Sequence, residues 1–244
     1  MKTILLTGDS RGVGHSIAKH LLENGYRVIG LSRTQTNEIN TLINQYGEEK
    51  YTHINYDLMD VDGIKDLYKK KLRPLTKEAG IYGFVNNAAM AYDDIITNLN
   101  YEPLDSMYKV NVFSPMMITK YVLRDMLLNK NKGNIIHISS ISAHTGYKGL
   151  AMYASTKGAL EAFSKNTSRE WGALGIRSNI VCPGFMDTEM SASLSDDQKN
   201  RIFNRNSMKK PVEVDAVATT VLFLIGETGK GITGQVLHVD NGTI

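Results

Sequence analysis

The chain contains 244 residues, of which 42% are apolar and 22% are charged, and its formal net charge at pH 7 is +3. A chain of this length can bury a large core without a disulfide or a structural metal, so one α/β domain accounts for it. The ordinary composition and small net charge exclude a disordered or strongly basic protein and give no indication of a nucleic-acid-binding surface.

The single cysteine and the amino terminus indicate the compartment. Cys182 has no partner for an internal disulfide, so a reducing compartment is expected. Its apolar neighbours in "NIVCPG" favour a buried strand thiol over a nucleophile. The first run, "KTILLTG", is too short for the apolar region of a signal peptide, and no stretch reaches the length of a membrane span. We therefore expect a soluble, cytoplasmic protein without a membrane or nucleic-acid partner.

Short apolar runs rich in Ile and Val alternate with longer amphipathic segments along the whole chain. This alternation predicts a single-domain Rossmann fold over residues 1–244, in which helices cover both faces of a doubly wound parallel sheet of about seven strands. The predicted strands are 3–7, 27–32, 50–56, 83–88, 134–140, 177–183 and 234–240. The predicted helices are 12–24, 36–46, 60–71, 101–129, 151–173 and 211–225.

The first predicted strand runs into a glycine-rich turn, "TGDSRGVG", and then into an amphipathic helix. Gly8, Gly12 and Gly14 leave room for a pyrophosphate to approach the backbone N–H groups at the helix N-terminus. The spacing differs from the usual G-x-G-x-x-G. Its position directly after the first hydrophobic strand nevertheless predicts a dinucleotide phosphate site.

The residues at the end of the second strand indicate which dinucleotide binds. An NAD site usually offers a carboxylate there to the ribose 2′-hydroxyl, but this chain reads "GLSRT" and has no acid. Ser32 and Arg33 at this strand end, together with Arg11 of the glycine-rich turn, suit a 2′-phosphate, which a carboxylate would repel. Each arginine alone is also compatible with a plain surface residue. The two together, without an acid, predict NADP(H).

The segment "MYASTKGAL" at 152–160 places Tyr153 and Lys157 one helical turn apart on the same face. The residues around them are small, so a large molecule can lie flat against that face. This pattern predicts a binding face and not a purely structural helix.

The polar segment 187–210 interrupts the alternation of strands and helices after Pro183 and Gly184. Long excursions of this kind in compact domains are often lids over active sites. We predict a substrate lid, and an ordinary surface helical hairpin is the alternative.

The six histidines show no metal-ligand spacing with acids or with Cys182, so no metal is predicted. His144 follows the fifth predicted strand. Either it contacts the substrate or it is a loop histidine without a role, and the sequence favours neither interpretation.

Seven motifs in order resemble those of the short-chain dehydrogenase/reductase family over essentially the whole chain. They are "TGDSRGVG" at 7–14, "DL" at 57–58, "NNAA" at 86–89, "KVNVF" at 109–113, "ISS" at 138–140, "YASTK" at 153–157 and "PGFMDT" at 183–188. The family more often has Gly where this chain has Ala89, which is a mild departure.

The resemblance implies a catalytic set of Asn111, Ser140, Tyr153 and Lys157. In such a site Tyr153 gives a proton to the substrate carbonyl oxygen while hydride arrives from the nicotinamide, and Ser140 holds that oxygen. Lys157 is expected to bind the ribose hydroxyls and to lower the pKa of Tyr153. Asn111 is expected to hold a water that links Lys157 to solvent. Ser140 is preferred to Ser139 because it stands at the family's distance from the tyrosine.

The same resemblance implies cofactor contacts at several strand ends. Asp57 is expected to accept a hydrogen bond from the adenine amino group, and Thr188 to meet the carboxamide or the diphosphate. The complete predicted set is Gly8, Ser10, Arg11, Gly12, Val13, Gly14, Ser32, Arg33, Asp57, Leu58, Asn86, Ala88, Tyr153, Lys157, Pro183, Gly184, Met186 and Thr188.

Within the family, the compact length and "PGFMDTEMSASLSDDQKNRI" resemble the 3-oxoacyl-[acyl-carrier-protein] reductase branch. That resemblance implies a homotetramer that uses NADPH to reduce a 3-oxoacyl thioester, with acyl carrier protein as a partner that docks on basic residues. Lys130 and Lys132 are retained for such docking, but Leu174 stands where the branch commonly has an arginine.

Two other functions stay open at this stage. A free alcohol, sugar or steroid would suit the same fold and cofactor site, since neither specifies the substrate. A non-catalytic NADP(H)-binding sensor is the second alternative, and such a protein usually lacks one member of the Asn-Ser-Tyr-Lys set. This chain keeps all four, which favours an enzyme.

Overall fold

Seven parallel strands form one sheet in the computed structural model, which describes residues 1–188 and 194–244. The strand order is β3-β2-β1-β4-β5-β6-β7, and every neighbouring pair is parallel. The strands are β1 Thr3–Thr7, β2 Arg27–Ser32, β3 Tyr51–Asn55, β4 Gly83–Asn86, β5 Asn134–Ile138, β6 Arg177–Pro183 and β7 Val236–Val239. The predicted doubly wound parallel sheet is therefore confirmed.

Helices lie between the strands, as the alternating pattern predicts. They are α1 Gly12–Glu23, α2 Asn37–Tyr46, α3 Ile64–Asp66, α4 Arg73–Leu75, α5 Tyr101–Tyr108, α6 Ser114–Leu128, α7 Ser142–Thr145, α8 Ala151–Trp171, α9 Asp196–Phe203 and α10 Val214–Ile225. Single 3₁₀ turns occupy Ile96–Asn98, Gly172–Leu174 and Glu227–Gly229. Among the described residues, no helix combines the length and the apolar character needed to cross a membrane.

Two predicted helices are interrupted by π-helical turns. The segment 101–129 consists of α5, a π-helical turn at Lys109–Phe113, and α6. The helix predicted over 60–71 instead begins at Ile64 and ends at Leu75, as α3, a π-helical turn at Leu67–Leu72, and α4. A proline follows each wide turn, Pro115 and Pro74. Proline cannot donate the backbone hydrogen bond that would continue an α-helix, which explains why the preceding turn is wider.

The sheet separates two hydrophobic layers. Ile4 and Leu6 of β1 point into a cluster with residues of α1 and α10. The intervening Leu5 points to the opposite side, where it joins a cluster with residues of α6. Successive strand side chains alternate between faces, so both layers are filled by one continuous apolar strand.

The chain reverses its direction of winding between β1 and β4, and the loops after these two strands are bonded together. Thr7 Oγ1 accepts hydrogen bonds from the backbone N–H groups of Asn87 and Ala88, each at 3.1 Å. Asn87 Nδ2 donates to Gly8 O at 3.0 Å. A crevice at such a reversal, outside the carboxyl ends of the strands, is where open α/β sheets bind ligands.

A buried polar cluster supports the glycine-rich turn from below. The Oδ2 atom of Asp9 accepts from the Tyr51 hydroxyl at 2.7 Å and lies 2.8 Å from His53 Nδ1. The carboxylate occupies the space beside Gly30 of β2, where a Cβ atom would lie 1.7 Å from Asp9 Oδ2. Position 30 therefore has no room for a side chain.

We predict that Gly30→Ala destabilises the fold by about 1–3 kcal/mol, because the added methyl group overpacks a fully buried site. Urea unfolding followed by circular dichroism measures the change. Gly231→Ala is the matched control, since a Cβ at Gly231 meets no atom within 4 Å, and it is expected to stay within about 0.5 kcal/mol of wild type. Equal stability of the two variants would contradict the role given to the Asp9 carboxylate.

Candidate active site

The N-terminus of α1 offers backbone N–H groups to an anion. The N-cap residue Arg11 makes no side-chain capping bond, and the first turn holds no acidic residue. Gly12 has a φ of +54°, and a Cβ there would meet nothing within 4 Å. Uncapped donors, the positive end of the helix dipole and open space beside a glycine fit the pyrophosphate of a dinucleotide.

Two glycines let α1 approach β1 closely. A Cβ on Gly14 would lie 1.9 Å from Gly8 O, so the first turn of the helix lies directly on the turn that precedes it. Gly8 has a φ of +72°, a backbone conformation that favours glycine. These contacts fix where the helix begins and so position the anion site.

The end of β2 carries polar and basic groups near the same turn. Ser32 Oγ donates to Thr34 O at 3.3 Å, and Thr36 Oγ1 donates to Ser10 O at 3.0 Å, which joins the two loops. Arg33 and Arg11 are both exposed. Cationic side chains at the rim of the crevice suit a phosphate on the ribose.

The acid Glu38 also belongs to this region. It lies in the first turn of α2, and its charge acts on His15 of α1. Burial lowers the pKa of His15, against the opposing influence of Glu38 and then of Asp9. Sequence reasoning did not consider Glu38 because it lies beyond the strand end.

The predicted cofactor residues Asp57, Leu58 and Asn86 are each hydrogen-bonded to a residue outside this set. Asp57 Oδ1 accepts from Met59 N at 3.0 Å, and the buried Leu58 accepts a hydrogen bond from Ser114 Oγ through its carbonyl. Asn86 Oδ1 accepts from Thr7 Oγ1 at 3.3 Å. The side chain of Asn86 thus joins β1 to β4.

Tyr153 and Lys157 share one face of α8, as their spacing predicts. Lys157 Nζ lies 5.5 Å from the centroid of the Tyr153 ring and donates to Ile138 O, at the end of β5, at 2.8 Å. Lys157 is only 2% exposed. Burying an ammonium group favours its neutral form, and this lowers the pKa of Lys157 to about 8.

The expected lowering of the Tyr153 pKa is not found. Desolvation of the phenol raises it, and the negative charge of Asp93 adds to the effect. The pKa of Asp93 is itself raised by burial. In this arrangement Tyr153 stays protonated at neutral pH and has a proton to give, but a pKa raised away from neutrality makes the phenol a weaker acid. Sequence reasoning missed Asp93, although it lies in the loop that follows β4 and so approaches the same sheet edge.

The two serines after β5 face different surroundings. Ser139 is buried, and its hydroxyl donates to Glu161 Oε1 at 2.5 Å. Ser140 is half-buried, and its Oγ accepts from Ser142 N at 3.2 Å. Ser140 is therefore the more exposed residue of the two, and its role in binding substrate stays a prediction.

Asn111 lies in the π-helical turn Lys109–Phe113 and is fully buried. Its Oδ1 accepts from Met90 N at 2.9 Å, and its Nδ2 donates to Met90 O at 2.8 Å and to Thr156 Oγ1 at 3.1 Å. Thr156 precedes Lys157 in the chain. The wide turn thus connects the β4 loop to α8 beside the lysine.

The segment after β6 forms another wall of the crevice. Pro183 O accepts from Ile141 N at 3.0 Å, and Gly184 N donates to Val239 O at 2.9 Å. A Cβ on Gly184 would lie 2.7 Å from Asp240 Cα, so the two loops touch. Met186 packs on the core and Thr188 is half-buried.

The predicted lid contains helix α9, which a capping box at Ser195 begins. Lys199 Nζ lies 2.7 Å from Asp187 Oδ1, and the rings of Phe203 and Phe185 are 5.7 Å apart. These contacts place α9 against the segment that follows β6. Residues 189–193 of the predicted lid lie outside the described residues.

Cys182 is buried on β6, as expected. Burial raises the pKa of its thiol to about 12, and the charges of Glu161 and Asp240 add to the effect. A thiol that stays protonated is a poor nucleophile, which agrees with its interpretation as a strand residue.

Comparison with known proteins identifies the family. Residues 8–243 match a family model described as Enoyl-(Acyl carrier protein) reductase. A 3-oxoacyl-[acyl-carrier-protein] reductase of Buchnera aphidicola is 33% identical to this chain, and the alignment covers 99% of this chain and 96% of the relative. An L-xylulose reductase of Caenorhabditis elegans is 32% identical, with coverages of 99% and 95%.

A solved structure supports the same conclusion. A blue fluorescent protein from a metagenomic library, in complex with NADPH, superimposes with a TM-score of 0.91 at 26% identity over 99% of this chain and 97% of its own. The fold, the order of the motifs and these relatives agree over the whole length. The chain belongs to the short-chain dehydrogenase/reductase family.

Proposed function

We propose that this protein is an NADP(H)-dependent oxidoreductase that reduces a ketone to a secondary alcohol. The observation that carries the proposal is the buried Lys157 ammonium beside the Tyr153 phenol. The N-terminus of α1, which has no side-chain cap and can bind an anion, lies at the same edge of the sheet. A protonated phenol at such an edge can supply the proton that a ketone needs when it accepts a hydride.

The residues that would hold the dinucleotide surround the crevice. The backbone of Gly12, Val13 and Gly14 would bind the pyrophosphate, Arg11 and Arg33 the 2′-phosphate, and Asp57 the adenine. Pro183, Gly184, Met186 and Thr188 would flank the nicotinamide. When bound, the dinucleotide supplies the hydride, and the protein supplies orientation and the proton.

The catalytic roles in this proposal are those that the family resemblance implies for four side chains. Ser140 holds the carbonyl oxygen of the substrate, and Tyr153 donates its phenolic proton to that oxygen. Lys157 binds the ribose hydroxyls, and its charge stabilises the phenolate that remains. Asn111 connects the lysine side of α8 to the β4 loop and serves the return of the proton from solvent.

A 3-oxoacyl thioester is our first choice of substrate. The similarity to a 3-oxoacyl-[acyl-carrier-protein] reductase over 99% of the chain supports it. Under this proposal, 187–210 is the substrate lid, acyl carrier protein is a partner that docks near Lys130 and Lys132, and the chain acts as a homotetramer. Leu174, which is 55% exposed, offers an apolar contact where the branch commonly uses an arginine.

A sugar or polyol ketone is the second candidate. The L-xylulose reductase is nearly as similar as the 3-oxoacyl reductase, at 32% against 33% identity. A polar substrate would also suit Asp93, whose carboxylate acts on Tyr153. The two candidate activities use the same cofactor site and differ only in the substrate that binds beside the proposed lid.

The substrate class can be tested by following NADPH oxidation with a short 3-oxoacyl thioester and, separately, with L-xylulose. We expect turnover with the thioester to exceed turnover with the sugar by at least about tenfold in kcat/KM, a difference of about 1.4 kcal/mol in transition-state binding. The reverse order would overturn the thioester assignment and favour the second candidate.

We predict that Tyr153→Phe lowers kcat by about 10²–10⁴-fold while NADPH still binds, because only the transferable proton is removed. Turnover and the quenching of protein fluorescence by NADPH measure the two effects. Tyr46→Phe is the control, since Tyr46 ends α2 and packs on the core. A Tyr153→Phe variant with wild-type turnover would exclude the proposed role of Tyr153 as the proton donor.

We predict that Arg33→Ala weakens NADPH binding about 10–100-fold and leaves NADH binding nearly unchanged, since only NADPH carries the 2′-phosphate that a guanidinium binds. Titration calorimetry with both dinucleotides measures this. Arg124→Ala on α6 is a control of equal charge at an exposed position. Parallel losses for the two dinucleotides would argue against 2′-phosphate recognition by Arg33.

A further inference from the structure

Three potential metal ligands from separate elements meet at the end of β6. Cys182 on β6 and His238 on β7 are register partners on adjacent strands, and His144 belongs to α7. One ligand atom from each lies within 4.8 Å of the others. The spacing of these residues in the sequence does not reveal the group, because long segments of chain separate its members.

The distances are close to those of a tetrahedral site. A tetrahedral Zn²⁺ ion with Zn–N of about 2.0–2.1 Å and Zn–S of about 2.3 Å holds its ligand atoms roughly 3.3–3.6 Å apart. Separations of up to 4.8 Å must therefore contract by up to about 1.2–1.5 Å. Both histidines are exposed, and their ring centroids lie 5.0 Å apart.

A carboxylate stands behind one of the ligands. Glu161 Oε2 lies 3.0 Å from His144 Nε2, and the Ser139 hydroxyl holds the same carboxylate through Oε1 at 2.5 Å. Histidines that bind metals usually share their second ring nitrogen with a carboxylate or a carbonyl, which fixes the orientation of the ring. The arrangement of Glu161 and His144 has that form.

The donor types select the class of metal. A thiolate and two imidazoles suit borderline-soft divalent ions such as Zn²⁺ and Co²⁺, whereas Mg²⁺ and Ca²⁺ prefer sets made of oxygen atoms. The negative charges of the thiolate and the nearby Glu161 together balance the charge of a divalent ion. Such a pairing reduces the cost of placing an ion beside the buried strand.

We propose that His144, Cys182 and His238 form a binding site for a divalent ion of the Zn²⁺ class, with Glu161 holding the imidazole of His144. The ion replaces the thiol proton of Cys182, which leaves to solvent as the metal–sulfur bond forms. Three protein ligands leave a fourth position for water or for a donor atom of a small molecule. The site ties α7 to β6 and β7.

The proposal is independent of the proposed reductase activity, although the two sites are neighbours. Cys182 directly precedes Pro183, and Glu161 lies one helical turn beyond Lys157 on α8. The charge of Glu161 also acts on Lys157. The binding test therefore uses a spectroscopic signal and requires no turnover.

Cobalt provides that signal. We expect the full chain, freed of metal by a chelator, to bind one Co²⁺ with a thiolate-to-cobalt charge-transfer band and the visible absorption of a tetrahedral site. Zn²⁺ should displace the bound Co²⁺ and so remove both absorption features. Because Cys182 is the only cysteine in the sequence, a thiolate band at a stoichiometry of one Co²⁺ per chain identifies its sulfur as a ligand.

Variants separate the ligands from their supports. Cys182→Ser should abolish the band, and His144→Ala or His238→Ala should weaken Co²⁺ binding by more than about tenfold. Glu161→Gln should weaken it by about 10–100-fold, as expected for the loss of a carboxylate that orients a ligand. His20→Ala on α1 is the matched control and should bind Co²⁺ as wild type does. Circular dichroism establishes that each variant is folded.

The proposal fails if wild-type protein shows no thiolate band at saturating Co²⁺. It also fails if His238→Ala binds Co²⁺ with unchanged affinity and an unchanged band. The three residues would then not form a metal site, and His144 and Glu161 would only be an ion pair beside the buried Cys182 thiol. Should Cys182→Ser not fold, His238→Ala decides the question alone, since His238 is exposed and its removal leaves the core intact.

Discussion

A buried ammonium group at the carboxyl edge of the sheet constrains everything around it. Removing a charge from water is costly unless polar groups receive it, and Lys157 Nζ donates to Ile138 O, where β5 ends. The strand end and α8 must therefore keep a fixed separation. The hydrogen bond between Asn111 and Thr156 holds the helix from the other side. The position of Tyr153 follows, because it lies one turn before the lysine.

The cofactor half and the substrate half of the crevice are built differently. Glycine contacts and short strand ends form the first, and a Cβ on Gly14 would approach Gly8 O to 1.9 Å, so this half tolerates little variation. Under the proposed function, helix α9 and the loops after β4 and β6 would form the second. Loops vary more readily than packed strand ends. Under the proposed function, this contrast would account for nearly equal identities to a 3-oxoacyl-[acyl-carrier-protein] reductase and an L-xylulose reductase, 33% and 32%.

Local chemistry decided what the sequence could predict. Strand runs such as 3–7, the glycine-rich turn and the spacing of Tyr153 and Lys157 are features of neighbouring residues, and the structure has them where expected. The pKa of Tyr153 depends instead on desolvation and on Asp93, which only the folded chain brings near. The π-helical turn around Asn111 likewise depends on contacts with Met90 and Thr156. The roles of the four catalytic residues stay predictions.

The Asp9 carboxylate beside Gly30 has a consequence for how this sequence can drift. The carboxylate fills the volume in which a side chain at position 30 would lie, and Tyr51 and His53 hold it there. A side chain at 30 therefore fits with less strain once a smaller residue has replaced the aspartate at 9. The two positions are coupled, so the cost of a substitution at 30 depends on which residue occupies 9.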